Sequence, residues 1–242
     1  MKIENYIKIL NNLSPNDRVL DVGGWERPFN RSDVVIDIMP FSTRKIHNAF
    51  PKEMDERFTG EKWINKDFTE GLPFKDKEFD FVLCGHVLED IKDPVFLCKE
   101  LIRVAKAGYI EFPNRAYEMK ASVDGLPNSH SYVGYNHHRW LAEQRGNKLF
   151  FIQKRCMYSV MKILRCKKVT NRFTGFFWEK SFDYEELFFN SYDELMREAL
   201  LFRSKNDNIP FNKLWKKYLF IKYPMKLRAK MNTWYTNLFI QD

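Results

Sequence analysis

Residues 18–37 read RVLDVGGWERPFNRSDVVID. Apolar Val19 and Leu20 run into Asp21, then Val22 and a Gly23-Gly24 turn. Twelve residues after Val22 a second apolar run, Val34-Val35-Ile36, ends on Asp37. A glycine turn after a strand lets a ligand approach the main chain closely. A carboxylate at the end of the next strand accepts two hydrogen bonds from a ribose diol. The pair of features points to a nucleoside-binding α/β domain.

Outward from this stretch, strands and helices alternate. Ile3, Tyr6, Ile7 and Leu10 share one face of an opening helix over 2–13. The segment 25–32, broken by Pro28, is too short for a long helix. Residues 63–67 read as a short third strand ending in Asp67, and FDFVLC (79–84) as a fourth. A helix over 87–105, interrupted near Pro94 and capped by Gly108, leads to a fifth strand over 109–112. The pattern predicts an α/β, doubly wound, mostly parallel Rossmann-like sheet. HRWLAEQ, Arg145-Gly146-Asn147 and KLFFIQK then read as a C-terminal antiparallel hairpin. Beyond Lys154 the chain reads as helical, with 192–204 and 211–223 the better helices. This divides the chain into a domain over 1–155 and a helical, basic and aromatic extension over 156–242 that packs on it.

Four blocks within 15–155 resemble the class I S-adenosylmethionine-dependent methyltransferases, of the small-molecule, methyltransferase type 11-like kind. VLDVGG resembles the first motif, VVIDIMP the second, NKDFTEGLPFKDKEFDFVLC the third and fourth together, and HVLEDIKDP the stretch after the fourth strand. The resemblance implies S-adenosylmethionine as cofactor. It places Gly23 and Gly24 against the methionine part, Asp37 and neighbouring Ile38 at the ribose, Asp67 at the adenine amino group and Phe68 beside the ring. Gly85, His86 and Val87 would close the site. The third glycine of the first motif is absent, because Trp25-Glu26-Arg27-Pro28 follows Gly24.

The chemistry of the residues is compatible with that cofactor. A methylsulfonium cation with an adenosine needs bare main chain, nearby carboxylates (Asp21, Asp37, Asp67) and an apolar slot. Hydrogen bonds to charged groups are worth roughly 1.5–3 kcal/mol each. Three acids ending three strands would lie along one rim of the sheet. The plainer readings are a turn acid at Asp37 and an N-cap at Asp67, since Thr69 and Glu70 follow.

The acceptor side falls on the segment after the fifth strand, where Pro113 and Asn114 would aim Arg115 and Tyr117 inward. SHSYVGYNHHRW follows, with His130, Tyr135, His137, His138 and Arg139. A hydroxyl acceptor needs a base near neutral pKa, so His130, His137 and His138 are the catalytic candidates, and Arg115, Tyr117, Tyr135 and Arg139 the substrate-binding ones. If HHRW is a strand, His137 and His138 face opposite ways and only one reaches the site. No metal is assigned, because no third acidic ligand accompanies the histidines.

Net charge is +8, with nine Lys/Arg against two Asp/Glu from Arg203 to Asp242. That tail lies on an anionic membrane, caps its own domain or forms a homodimer surface; nucleic acid is not expected, since no recognition motif accompanies the charge. No run approaches 18 apolar residues, MKIENYIKILNNL lacks a signal-peptide core, and the four cysteines form no CxxC pair. A cytoplasmic protein with reduced thiols is expected. The Lys/Asn/Phe-rich composition suits an AT-rich bacterial genome. The reading is a methyltransferase acting on a small, sugar- or phosphate-bearing acceptor, with O-methylation favoured. The alternatives are a nicotinamide-dependent oxidoreductase and a non-catalytic cofactor-binding adaptor at a membrane surface.

Overall fold

The computed structural model describes residues 3–44, 55–121, 123 and 133–223. Its elements, in chain order, are α1 (Ile3–Asn12), β1 (Val19–Val22), β2 (Val34–Asp37), β3 (Trp63–Asn65), β4 (Phe79–Gly85), α2 (Pro94–Val104), β5 (Ala105–Pro113), α3 (Arg115–Glu118), β6 (Trp140–Arg145), β7 (Lys148–Gln153), α4 (Cys156–Val160), β8 (Phe173–Glu179), β9 (Asp183–Glu186), α5 (Tyr192–Asp207) and α6 (Phe211–Lys222). The main sheet has the order β3-β2-β1-β4-β5-β8, parallel throughout except for β8.

This is the expected mostly parallel α/β sheet, with local differences. The antiparallel edge strand is β8, from the region read as helical, rather than the hairpin. The β6–β7 hairpin exists, but it forms a separate sheet with β9. The reason is burial on both of its faces. Trp140, Ala142, Leu149 and Phe151 join the main-sheet core, whereas Leu141 and Ile152 pack with Leu195, Met196, Leu200 and Leu214 of α5 and α6. The segment beyond 155 therefore contributes β8 and β9 as well as helices, and β8 completes the sheet begun by the first 113 residues.

Helix α2 starts at Pro94 rather than at 87. Asp93 caps it by accepting from the Phe96 N–H at 2.8 Å, and Pro94 occupies a first-turn position whose missing N–H costs nothing. Gly108 does not cap this helix. It lies within β5, where an added Cβ would stand 2.6 Å from the Val82 carbonyl and 2.8 Å from the Trp178 ring.

Side chains of a strand alternate between faces. On β1, β4 and β5 one set (Leu20, Val22, Val82, Cys84, Ile110, Phe112) enters the large core beneath α2. The other set (Val19, Phe81, Leu83, Tyr109) packs against Tyr6 and Ile9 of α1. The register aligns Asp21 with Leu83 and Leu83 with Tyr109, and pairs Gly85 with Glu111. Asp21, Tyr109 and Glu111 thus fall on the α1 face at the C-terminal ends of their strands. The link from β1 to β2 contains no helix, only bends and turns, and that end of the face stays open.

Candidate active site

The opening is a cavity of about 500 Å³ walled by Asp21, Gly23, Gly24, Leu83, Gly85, His86, Tyr109, Glu111, Tyr135 and Phe173, with Glu26, Arg27 and Phe29 closing one side. Its size lies within the range typical of small-molecule sites. It sits where parallel α/β sheets bind ligands, outside the carboxyl ends of the strands.

The glycine turn forms one wall. Gly23 has φ +78°, and an added Cβ would stand 2.1 Å from a Val87 methyl. An added Cβ on Gly24 would stand 2.7 Å from Asp21 Oδ2 and 2.9 Å from Val35. Neither position tolerates a side chain, so bare main chain faces the cavity. The Gly23 N–H donates to the Ile36 carbonyl at 2.9 Å, which ties the turn to β2.

Two acids back this turn. Asp21 is 5% exposed and accepts the Phe29 N–H at 2.8 Å. Burial pushes its carboxyl up to about 7; the Phe29 hydrogen bond opposes the rise and the charge of Asp37 adds to it. Asp37 is also buried, and its two oxygens accept from Trp25 N–H (3.0 Å) and Met39 N–H (2.8 Å). Burial raises it too, against those main-chain bonds. Asp37 therefore clamps the residue after the glycine turn. Ile38 is 61% exposed beside it.

The third expected acid does not join them. β3 ends at Asn65, whose side chain donates to the Ile38 carbonyl at 2.6 Å. Asp67 lies two residues further on, in solvent, accepting the Thr69 N–H at 2.8 Å as a turn acid does. Phe68 is buried in the main core and borders a separate cavity of about 260 Å³ with Ile91 and Phe96. Neither Asp67 nor Phe68 lines the main cavity.

The opposite wall carries the titratable groups. His86 adopts a left-handed φ of 58° at the end of β4. Its Nδ1 lies 3.2 Å from Glu89 Oε1 and its Nε2 lies 3.3 Å from Glu111 Oε1. Burial works against the imidazolium, but the hydrogen bonds and charges of Glu111 and Glu89 outweigh it and raise His86 to about 9. Glu111 also accepts from the Tyr109 hydroxyl. Burial pushes Glu111 up, yet the His86 and Tyr109 bonds bring it down to about 2. The His86 ring meets Phe173 edge-on at 4.7 Å, and Tyr117 extends the aromatic wall between Phe173 (6.4 Å) and Tyr135 (6.2 Å).

Several candidate residues lie elsewhere. Arg115 is directed away from the cavity: its guanidinium is buried between Glu143 (2.8 Å) and Glu198 and stacks on Phe202 at 4.1 Å. It joins the sheet side to α5 instead of meeting an acceptor. Arg139 is exposed, and its main chain is engaged on both sides: its N–H donates to the Glu89 carbonyl at 2.7 Å and its carbonyl accepts from the Lys154 N–H at 2.7 Å. His137 and His138 stand behind Tyr135 rather than on the cavity wall, and they do not face opposite ways. Residues 137–139 precede β6 and are not extended strand, so both rings turn to the same side, 4.5 Å apart, against Tyr135. His130 lies outside the described residues.

Sequence reasoning missed Tyr109 and Glu111 as site residues. Their signal was present, since two polar groups two apart in an otherwise apolar strand must share a face. Phe173 carried no such signal, because only the β5–β8 pairing, Pro113 opposite Phe173, brings it to the site.

Residues 34–110 match the family model described as a methyltransferase domain. A 55-residue stretch is 40% identical to the bifunctional methionine biosynthesis protein MetXA/MetW of Rhodopirellula baltica, covering 22% of this chain and 9% of that protein. Among solved structures, a S-adenosylmethionine-dependent methyltransferase of Methanosarcina mazei is 15% identical at TM-score 0.34, covering 57% of this chain and 71% of its own. One from Aquifex aeolicus is 18% identical at TM-score 0.33, covering 54% and 71%. A methyltransferase of Haloferax volcanii, solved with the Trm112 methyltransferase activator, is 20% identical at TM-score 0.31, covering 43% and 48%. The cavity fits a cationic adenosine cofactor: bare main chain at Gly23 and Gly24 and the Asp21 carboxylate line it, and Asp37 stands behind the turn, holding the Trp25 N–H. The chain therefore carries a methyltransferase domain over residues 34–110, with S-adenosylmethionine as its cofactor.

Proposed function

We propose that the protein methylates a hydroxyl of a small, sugar- or phosphate-bearing acceptor, with His86 as the acid–base group. The observation that carries this reading is the position of His86 on the cavity wall, opposite the glycine turn and between Glu89 and Glu111. S-adenosylmethionine, when bound, supplies an electrophilic methyl on sulfonium. The main chain at Gly23 and Gly24 and the carboxylates of Asp21 and Asp37 would hold it.

The rest of the chemistry belongs to this chain. Glu89 holds the His86 ring through Nδ1. The Nε2 contact to Glu111 is long at 3.3 Å, so an acceptor hydroxyl that displaces it gains a base at that atom. Glu111 and Tyr109 then stabilise the imidazolium that forms. Phe173, Tyr117 and Tyr135 offer an apolar wall for the acceptor's ring, and Arg27 offers a cation for an anionic substituent. A positioned base contributes about 10²–10⁴-fold, whereas orientation contributes on the order of 7–11 kcal/mol. Loss of His86 should therefore slow transfer without ending it.

The test uses S-adenosylmethionine carrying a labelled methyl, incubated with a deproteinised small-molecule extract, for wild type and His86→Gln. Label in a small acceptor at a rate that falls about 100-fold or more in the variant supports the reading. Label confined to macromolecules, or an unchanged rate, overturns it. Binding of S-adenosylhomocysteine without any labelled product would favour the non-catalytic adaptor.

A further inference from the structure

Behind Tyr135, outside the walls of the cofactor cavity, Asp90, His137 and His138 each present a ligand atom, all within 4.8 Å of one another. We infer that these three residues form a divalent transition-metal site, of the two-histidine, one-carboxylate kind that suits zinc. The assignment stands apart from methyl transfer to any acceptor.

Three features distinguish this cluster from a chance meeting of polar side chains. First, His138 is 8% exposed, and its Nδ1 lies 2.8 Å from Glu118 Oε1. A carboxylate on Nδ1 fixes the proton there and leaves the Nε2 lone pair outward, which is how ligating histidines are oriented at metal centres. Second, Glu118 is itself held. Its Oε2 accepts from Lys154 Nζ at 2.8 Å, and that lysine, with its side chain 2% exposed, also donates to the Tyr135 carbonyl. So large an investment in one imidazole's orientation has no counterpart at the other described histidine pair member, the exposed His137. Third, Asp90 Oδ1 is buried with no hydrogen-bond partner, and it points at His138 Nε2 from 3.8 Å. A buried carboxylate oxygen without a donor destabilises the fold, and a bound cation would remove that cost. The gap is too long for a hydrogen bond. It is close to the separation of roughly 3–3.5 Å between two ligands of one ion at bonds of about 2.0–2.2 Å.

Exposed His137 completes the set from the solvent side, its ring 4.5 Å from that of His138. Two imidazoles and one carboxylate select a borderline divalent ion over magnesium or calcium, which prefer all-oxygen shells. Three protein ligands leave at least one position open. That position faces a broad surface cavity also lined by Lys92, Arg139 and Arg155. Binding requires neutral imidazoles and an ionised Asp90, and it releases any proton they carry. Tyr135 touches both histidine rings and lines the cofactor cavity, so the ion would brace the wall on which the acceptor is placed.

The test uses the full, untagged chain after removal of metal by chelator and dialysis. Zn²⁺ is titrated by calorimetry, and Co²⁺ by visible absorption, which reports nitrogen and oxygen ligation directly. One equivalent is expected, with His137→Ala and Asp90→Asn each weakening Zn²⁺ by about 100-fold or more, and Glu118→Gln by about 10–100-fold. Cys156→Ser, at the edge of the same cavity, should leave binding unchanged. His137 is exposed, so its variant folds and decides the matter even where Asp90→Asn does not. No equivalent of Zn²⁺ bound by wild type, or one bound equally well by His137→Ala, overturns the assignment.

Discussion

Replacing Asp21 by Asn isolates the cost of keeping a buried charge beside the cofactor cavity. Asp21 is 5% exposed, receives the Phe29 N–H at 2.8 Å and lies within the field of Asp37. Burial first, with the Asp37 charge, lifts its carboxyl from the ordinary 3.8 to about 7 despite the Phe29 bond. A tenfold change in proton affinity is worth about 1.4 kcal/mol, so ionised Asp21 costs the folded chain roughly 4 kcal/mol. The folded pKa lies above the unfolded one. The folded state therefore holds the proton longer, and this contribution to stability is fully present below about pH 4 and lost as pH rises through about 7. Asn keeps an oxygen for the Phe29 N–H and carries no charge. Urea unfolding of the cofactor-free chain should give Asp21→Asn no advantage near pH 4 and an advantage growing toward about 4 kcal/mol at pH 8. The same variant should bind S-adenosylmethionine, a cation, about tenfold or more weakly, and lose less for uncharged-sulfur S-adenosylhomocysteine. A stability difference that stays flat from pH 4 to pH 8 would refute the reasoning, since no buried charge would then be at stake.

Other consequences can be checked alongside it. Because His86 acts as a base only when neutral, and two carboxylates hold it near 9, kcat/KM should climb with pH toward a plateau above about 9; a profile flat from pH 7 to 10 would exclude it. Asp37→Ala removes the acceptor of two main-chain N–H groups and should weaken S-adenosylhomocysteine by about tenfold or more in calorimetry. Gly23→Ala meets both a positive φ and a Val87 methyl at 2.1 Å; it should cost about 2–3 kcal/mol in unfolding experiments and remove cofactor binding. Arg115→Ala breaks a buried pair with Glu143 and Glu198 and should destabilise by about 3 kcal/mol, while cofactor affinity measured at a folded temperature stays near wild type.

The basic tail gives a mixed outcome. Phe211, Trp215 and Tyr218 pack on the second core with α5, so the aromatic spacing there records helix packing on the protein's own domain. Residues from 224 onward lie outside the described part. Among the described residues no helix is long and apolar enough to cross a membrane.

Local signals were sufficient wherever the decisive physics was local. Gly23 and Gly24 had to be glycines because main chain and close packing meet at a strand end, and the apolar runs ending in Asp21 and Asp37 marked parallel strands whose C-terminal tips make a site. Alternation within YIEF was enough to pair Tyr109 with Glu111. What the sequence could not determine was which distant segments converge. Phe173 reaches the cavity only because β8 pairs antiparallel with β5, Arg115 is captured by Glu198 from 83 residues away, and Asp90 meets His138 only because the Glu89 carbonyl accepts from the N–H groups of Arg139 and Trp140. The surroundings of Asp67 and the sheet that the hairpin joins were not legible for the same reason. A turn acid and a ligand acid have the same neighbours in sequence, and a hairpin apolar on both faces is assigned to a sheet by whatever else in the fold has surface to bury.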